Sequence, residues 1–319
     1  MSGAGRTYLV TGAAGFVGAN MCRRLLETGS AVHAVVAPRT DLWRLAGIED
    51  ALHLHRADIC DAEKLGAAVR AIRPAVIYHF ATYGAYPQQT DAERILLTNI
   101  FGFWNLLRAC NEVGFELFVN TGSSSEYGKK RGPMRETDRL EPDSYYAVAK
   151  SGQTLLGQHM ARQDGLRVVT LRPFSVYGPW EAPSRLIPHL MMAAIRDRPI
   201  RMVSPATARD FIHVDDFLDA CLLIDELKAL NGEIFNVGTG TQTTLETLVA
   251  TLSELCGAPL DARWEAMPAR TWDTDRWVAD VGKLSKRTAW RPATPLREGL
   301  EKCLAWFRAH SDLYGEIPA

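Results

Sequence analysis

Along the first two-thirds of the chain, short apolar runs alternate with longer stretches in which apolar residues recur every three or four positions. TYLVTG (7–12), AVHAVVA (31–37), LHLHRAD (52–58), AVIYHFA (75–81), LFVNTG (117–122) and RVVTLRP (167–173) read as strands. Between them, helical periodicity spans 17–28, a segment ending near Pro74, 92–113 and 144–163. Strands alternating with helices at this spacing predict βαβ units and a doubly wound parallel sheet, hence an α/β fold of the Rossmann type. After Gly178 the texture changes. Prolines cluster at 179, 183, 188, 199 and 205, and segments become shorter and mixed. A first, doubly wound domain is therefore expected over 1–178, and a smaller mixed domain over most of 179–319. EIFNVGTG (233–240) is expected to return as one further strand of the main sheet, near 233–238.

Bulk properties narrow the function classes. The chain has 319 residues, 47% hydrophobic and 23% charged, with a net charge of -1. This balance gives no electrostatic footprint for nucleic acid or an anionic membrane surface. No apolar run approaches the ~18 residues of a membrane span. The start, MSGAGRTYLV, lacks the pattern of a signal peptide, so a cytoplasmic location is expected. Six cysteines at 22, 60, 110, 221, 256 and 303 form no CxxC or Cys/His pattern; reduced thiols and no metal site are expected.

TGAAGFVG places Gly12, Gly15 and Gly18 at three-residue intervals, directly after the first strand. The helix opens there, with Phe16 and Val17 in its first turn. A glycine turn permits close backbone approach, and the helix start offers N–H groups and a positive dipole end to a pyrophosphate. The spacing departs by one residue from GxGxxG. At the end of the second strand no acid stands ready for the ribose hydroxyls of NAD; the chain reads Ala37-Pro38-Arg39. Arg39 can pair with a 2′-phosphate, which favours NADP(H). NAD is the alternative, with Asp41 on the ribose. Asp58 and Ile59, after the third strand, are candidates for the adenine end or for an ordinary surface turn.

DSYYAVAK adds candidate chemistry. Tyr146 and Lys150 are four apart and share one helix face, while Tyr145 points elsewhere. An ammonium beside a phenol favours phenolate and suits proton transfer at a carbinol oxygen.

Several motifs then agree in order and separation: the glycine turn, HFA at 79–81, Asn99 in TNIFG, the serines of NTGSSSEYG, Tyr146-x-x-x-Lys150, LRPFSVYGP, RDFIHVDD, FNVGTG and RTWDTDRWVADVGK. Together they resemble the extended short-chain dehydrogenase/reductases, in particular the nucleotide-sugar epimerase/dehydratase group, over nearly the whole chain. The resemblance implies Tyr146 as general acid/base and Lys150 on the nicotinamide ribose. Ser123, in an ungapped register, or Ser124, if the gap moves by one, would hold the reacting oxygen. Phe80, Ala81, Asn99, Pro173 and Ser175 are implied on the cofactor, although relatives often carry asparagine where Ser175 stands. Arg209 and Arg276 are implied on the diphosphate of a nucleotide sugar, and Arg270 and Asp273 on its nucleotide; Tyr83 and Tyr86, in the loop after the fourth strand that should face the sugar, pack on the sugar ring or on the protein. Relatives also pair the helices expected at 92–113 and 144–163 into a four-helix homodimer interface.

The reaction stays open among relatives. A dehydratase needs an Asp-Glu pair just after the catalytic hydroxyl; here those positions are Ser124 and Ser125, and Glu126 comes one residue late. The missing acid and Arg39 favour an NADPH-linked 4-ketoreductase of a nucleotide 4-keto-6-deoxy sugar. A 4-epimerase with retained NAD is the alternative, followed by a 4,6-dehydratase and a non-catalytic dinucleotide-binding regulator.

Overall fold

The computed structural model describes residues 5–268 and 273–315. Its strands are β1 (Thr7–Thr11), β2 (Ala31–Val36), β3 (His53–Arg56), β4 (Val76–His79), β5 (Leu117–Thr121), β6 (Val168–Pro173), β7 (Ser175–Tyr177), β8 (Ile200–Arg201), β9 (Ala208–Arg209), β10 (Phe211–His213), β11 (Ile234–Val237), β12 (Thr243–Thr244) and β13 (Ala262–Arg263). Its helices are α1 (Phe16–Leu26), α2 (Ala62–Ile72), α3 (Ala92–Leu96), α4 (Phe103–Val113), α5 (Tyr145–Asp164), α6 (Leu186–Arg196), α7 (Val214–Cys221), α8 (Ile224–Leu227), α9 (Leu245–Cys256), α10 (Gly282–Arg287) and α11 (Leu296–Ala309).

One unit takes the chain up to Gly128, then Arg139–Arg172 and Cys221–Phe235. The other takes Lys129–Asp138, Pro173–Ala220 and the chain from Asn236 onward. The chain thus changes unit after Arg172 rather than near 178, and β11 begins in one unit and ends in the other.

A seven-stranded sheet has the order β11-β6-β5-β4-β1-β2-β3. Its pairs from β6 to β3 are parallel. Residues 234–237 form the edge strand next to β6. Strands β4 and β5 are buried almost throughout, as parallel strands covered on both faces must be. One sheet face aligns Leu9, Val35, Ile77, Phe118 and Val168 against Leu65 and Val69 of α2 and Phe103, Leu106 and Leu107 of α4. At the edge, β3 is short and mostly exposed, which explains its histidine-rich sequence.

The single helix expected at 92–113 is broken. Between α3 and α4, Leu97–Gly102 forms a π-helical turn that carries Asn99. Such a turn accommodates an extra residue, and single π turns cluster at functional sites. Gly102 explains part of the fit: a Cβ there would stand 2.6 Å from Ile59 Cδ1. Helix α5 packs on α3 and on this π turn.

In the second unit, β10 pairs with β7, β12 with β9 and β13 with β8, while α6, α9 and α11 pack on one another. Asp210, between β9 and β10, is completely buried. Its carboxylate accepts from Thr239 N and Oγ1 at 2.8 and 2.7 Å, Gly240 N at 3.0 Å and Ala279 N at 3.1 Å. Four bonds offset the burial of a charge, and they fix the strand that presents Arg209.

Gly18 has no room for a side chain: a Cβ would stand 2.2 Å from Gly12 O, which is backbone and cannot swing away. Gly18→Ala is therefore expected to lower unfolding free energy by about 1–3 kcal/mol or more. Gly132→Ala, where a Cβ meets nothing within 4 Å, is the neutral comparison in the same urea denaturation series.

Candidate active site

Strand order reverses between β1 and β4, and in open α/β sheets the crevice at the carboxyl ends of such strands is the ligand position. Both ends are tied together. Thr11 Oγ1 and His79 Nδ1 lie 2.7 Å apart, and Ala81 N donates to Thr11 Oγ1 at 3.4 Å. Burial, with a smaller contribution from the Lys150 charge, pushes the His79 imidazole down to about 3, so it is neutral at physiological pH. Gly12 takes φ 64°, and a Cβ there would stand 2.6 Å from Ala81 N and 2.7 Å from the Phe80 carbonyl carbon. Only glycine brings the two loops this close. Helix α1 then opens at Phe16 and Val17, with Gly15 as its cap, no side-chain capping bond and no acid in the first turn. That chemistry fits a dinucleotide pyrophosphate.

At the adenosine end, Arg39 is exposed just past β2. Asp41 Oδ1 accepts from Trp43 N at 3.0 Å. Asp58 Oδ1 accepts from Cys60 N at 2.9 Å, turning the chain after β3. The Ile59 side chain is buried in the core cluster, and Asn105 Nδ2 donates to its carbonyl at 3.1 Å. Its apolar body thus serves packing beneath Gly102.

Asn99 is completely buried and commits its amide to the loop after β4. Its Oδ1 accepts from Thr82 Oγ1 at 2.8 Å and Tyr83 N at 3.0 Å, and its Nδ2 donates to Tyr83 O at 2.7 Å. Gln89 Oε1 holds the same loop through Gly84 N and Tyr86 N. The Tyr83 ring lies under the Arg94 guanidinium, 4.3 Å from its centroid.

After β5, Ser123 caps a single 3-10 turn, Ser124–Tyr127. Its Oγ accepts from Ser125 N at 3.1 Å and lies 2.7 Å from Ser125 Oγ. Ser124 is buried, and Ser123 is half-buried. Glu126 completes the capping box: its Oε1 accepts from Ser123 N at 2.8 Å and Thr154 Oγ1 at 3.0 Å. Its Oε2 meets Arg172 Nη2 at 2.7 Å and Nε at 2.8 Å, and both side chains are almost fully buried. Arg172 also donates to Tyr127 Oη at 3.0 Å. Burial pushes the Glu126 carboxyl up, and the two-point arginine contact opposes this. Both carboxylate oxygens of Glu126 are thus engaged in holding the turn.

Ser144 Oγ caps α5 through Ala147 N at 3.2 Å. This start sends Tyr145 to solvent, 62% exposed, and leaves Tyr146 half-buried on the other side. Lys150, one turn on, is 2% exposed. Its Nζ donates to Thr121 O and, at 2.9 Å, to Gln153 Oε1. Burial lowers the ammonium to about 8, against the attraction of Glu126. Helix α5, which carries Tyr146 and Lys150, packs on the serine turn.

In the second unit, Pro173 closes β6, and Ser175 opens β7 opposite Phe211. Arg209 Nη2 meets Asp273 Oδ1 at 3.4 Å, and its guanidinium lies 5.6 Å from the Trp277 ring centroid. Arg276 donates to Arg131 O. A cavity of about 210 Å³ opens beside Asp273, lined by Val203, Thr207 and Thr274 among others. Arg270 lies outside the described residues.

A family model described as the NAD dependent epimerase/dehydratase family matches residues 8–238. The chain belongs to this family. A dTDP-glucose 4,6-dehydratase of Streptomyces griseus is 29% identical, covering 98% of both chains. A UDP-glucose 4-epimerase of Mycolicibacterium smegmatis is 30% identical, covering 95% of this chain and 99% of its own. The crystal structure of Bacillus cereus UDP-glucuronic acid 4-epimerase, in complex with UDP-glucuronic acid and NAD, superposes with a TM-score of 0.84 at 25% identity. It covers 95% of this chain and 99% of that one. The family membership makes the chain an enzyme of the extended short-chain dehydrogenase/reductase type. The dinucleotide that its glycine turn fits is of the NAD(P) class.

Arg172, Asn120, Gln153 and Asp210 are not legible in the sequence, because partners of each lie far off in the chain; Gln89 has near partners, Gly84 and Tyr86, but no residue pattern marks it. The turn that Arg172 braces does leave a visible signal, since Ser123-x-x-Glu126 is itself a capping-box spacing. Breaking the buried pair with Arg172→Met is expected to lower unfolding free energy by about 3–5 kcal/mol, because Glu126 is left charged and unpaired. Adding Glu126→Gln in the same chain should recover part of that loss. Denaturant midpoints of the two single variants and the double variant measure the coupling.

Proposed function

We propose that this enzyme is a 4-epimerase of a pyrimidine nucleoside diphosphate sugar that retains NAD. The observation that carries this reading is the commitment of Glu126. The turn supplies hydroxyls from Ser123, Ser124 and Ser125, and its one carboxylate is held by Arg172, Thr154 and Ser123 N. In this reading Tyr146 is the acid/base, which suits reversible proton transfer at a single carbinol. Within the turn 123–127 Glu126 is the one carboxylate, and its bonds speak against the second acid/base pair that water elimination requires. The epimerases among the relatives support the same choice.

In this reading Tyr146 Oη takes the proton from the sugar C4 hydroxyl and returns it to the same oxygen after the ring has presented its other face. Lys150 stabilises the phenolate and holds the nicotinamide ribose. Ser123 or Ser124 donates a hydrogen bond to the reacting oxygen. The nicotinamide, when bound, supplies the site that accepts and returns the hydride. Arg209 and Arg276 hold the diphosphate, and Asp273 the nucleoside.

The exposed Arg39, with no carboxylate at the tip of β2, favours a second reading: an NADPH-linked 4-ketoreductase. Denaturing the purified protein and identifying what it releases separates the two. The epimerase should release stoichiometric NAD and interconvert C4 epimers without net cofactor consumption. Tyr146→Phe should keep the nucleotide and lose at least ~100-fold in turnover. NADPH consumed in proportion to an added 4-keto sugar sinks the epimerase reading. NAD with loss of water would instead identify a dehydratase.

The same fold supports a homodimer. Leu97, Phe101 and Trp104 on the π turn and α4, and Tyr145, Val148 and Leu155 on α5, are exposed apolar side chains on mutually packed helices. Gly152 and Gly157 let these helices lie close, with added Cβ atoms 3.2 Å from Ile100 and Phe103. A second copy placing the same two helices on this face makes a four-helix interface. Light scattering should give a dimer mass for the parent chain and a monomer mass for Phe101→Glu with Leu155→Glu. A monomer mass for the parent chain contradicts the interface.

A further inference from the structure

Lys150 stands at the head of a buried chain of amides that the proposed chemistry does not itself use. Its Nζ donates to Gln153 Oε1 at 2.9 Å. Gln153 Nε2 in turn donates to Asn120 Oδ1, and Asn120 Nδ2 donates to Thr170 Oγ1 at 3.1 Å. Gln153 and Asn120 are completely inaccessible, and Thr170 is nearly so. Residues from α5, β5 and β6 thus converge beneath one ammonium.

The direction of this chain follows from elementary donor and acceptor chemistry. An ammonium has donors and no acceptor, so Gln153 must turn its oxygen toward Lys150. Its NH₂ group then faces Asn120 and requires an oxygen there. That choice turns the Asn120 NH₂ group toward Thr170, whose hydroxyl accepts. A buried amide with the wrong end presented would leave polar groups unpaired away from water, which is unfavourable. A neutral amine can accept as well as donate, so it does not impose this polarity. The chain therefore discriminates in favour of the charged lysine. Aligned bonds of this kind also polarise one another.

We propose that Gln153 is a positioning residue for Lys150, oriented by Asn120 and Thr170 so that the ammonium stays charged and aims its remaining N–H away from the protein core. This rests on the assignment of Lys150 to the nicotinamide ribose. With Thr121 O and Gln153 Oε1 taking two of the three N–H groups, one is left for that hydroxyl. Among the described residues, His79 and Glu126 interact electrostatically with Lys150. His79 on β4 is neutral, Glu126 on the serine turn is paired with Arg172 on β6, and Tyr146 lies one turn back on α5. Burial has already brought the ammonium to about 8, close enough to working pH for the loss of one acceptor to matter.

The test is the pH dependence of NADH dissociation from the loaded protein, followed by the fluorescence change on release. In the parent chain the rate should rise through a transition at about 8 as Lys150 loses its proton. From Lys150→Met, NADH should dissociate quickly with no such transition. If Lys150→Met keeps the transition, another group titrates, and the assignment of Lys150 to the ribose fails before Gln153 is in question. Given that control, Gln153→Met should move the transition down by about one pH unit, a tenfold loss in proton affinity. Gln153→Glu, which adds an anion at the same place, should move it up. Thr170→Val, which frees the far end of the chain, should give a smaller downward shift and serves if Gln153→Met does not fold. Transitions unmoved in Gln153→Glu and Thr170→Val, with only the thermal midpoints lowered, would make the chain ordinary core packing and overturn the proposal.

Discussion

A carboxylate without access to water organises the catalytic half of this enzyme. Glu126 meets Arg172 from β6, Thr154 from α5 and the backbone of Ser123 after β5. Three separate segments must therefore reach their final places together, because any one left out would strand a charge or a polar group in the interior. The hydroxyls and the phenol need close placement relative to each other, and surface loops alone do not give it. An ion pair inside the protein does so by making the alternatives unfavourable.

Much of the architecture is legible because backbone constraints write themselves into residue type. Gly12 must adopt positive φ against the β4 loop, and Gly18 has no room for a Cβ; both appear as glycines after an apolar run. Tyr146 and Lys150 are legible for a similar reason, as helical spacing alone puts them on one face. The strand at 234–237 shows itself as Ile-Phe-Asn-Val, three apolar residues and one asparagine closed by a glycine.

What stays hidden depends on contacts between distant segments. Nothing near Asn99 shows that its amide will close on residues 82 and 83, or that the helix carrying it will take an extra residue in one turn. Ile59 reads as an adenine contact or as part of a surface turn, and its side chain fills the space that Gly102 leaves. Asp210 reads as one more charge in RDFIHVDD and is in fact a four-bond clamp. In each case local propensity is neutral and tertiary partners decide the outcome. The second unit suffers most from this, since its strands of two and three residues carry almost no periodic signal.

The π turn has a consequence of a different kind. A regular α-helix advances about 100° per residue, so one residue absorbed between α3 and α4 sets the angular phase of everything downstream. If that turn relaxed into ordinary helix, Phe103, Leu106 and Leu107 would be carried round by one residue's rotation, off the sheet they now cover. The three bonds of Asn99 oppose this slippage. A residue that looks like a ligand contact therefore acts as an indexing pin, keeping two halves of a helix in phase with the sheet on one side and the outer apolar face on the other.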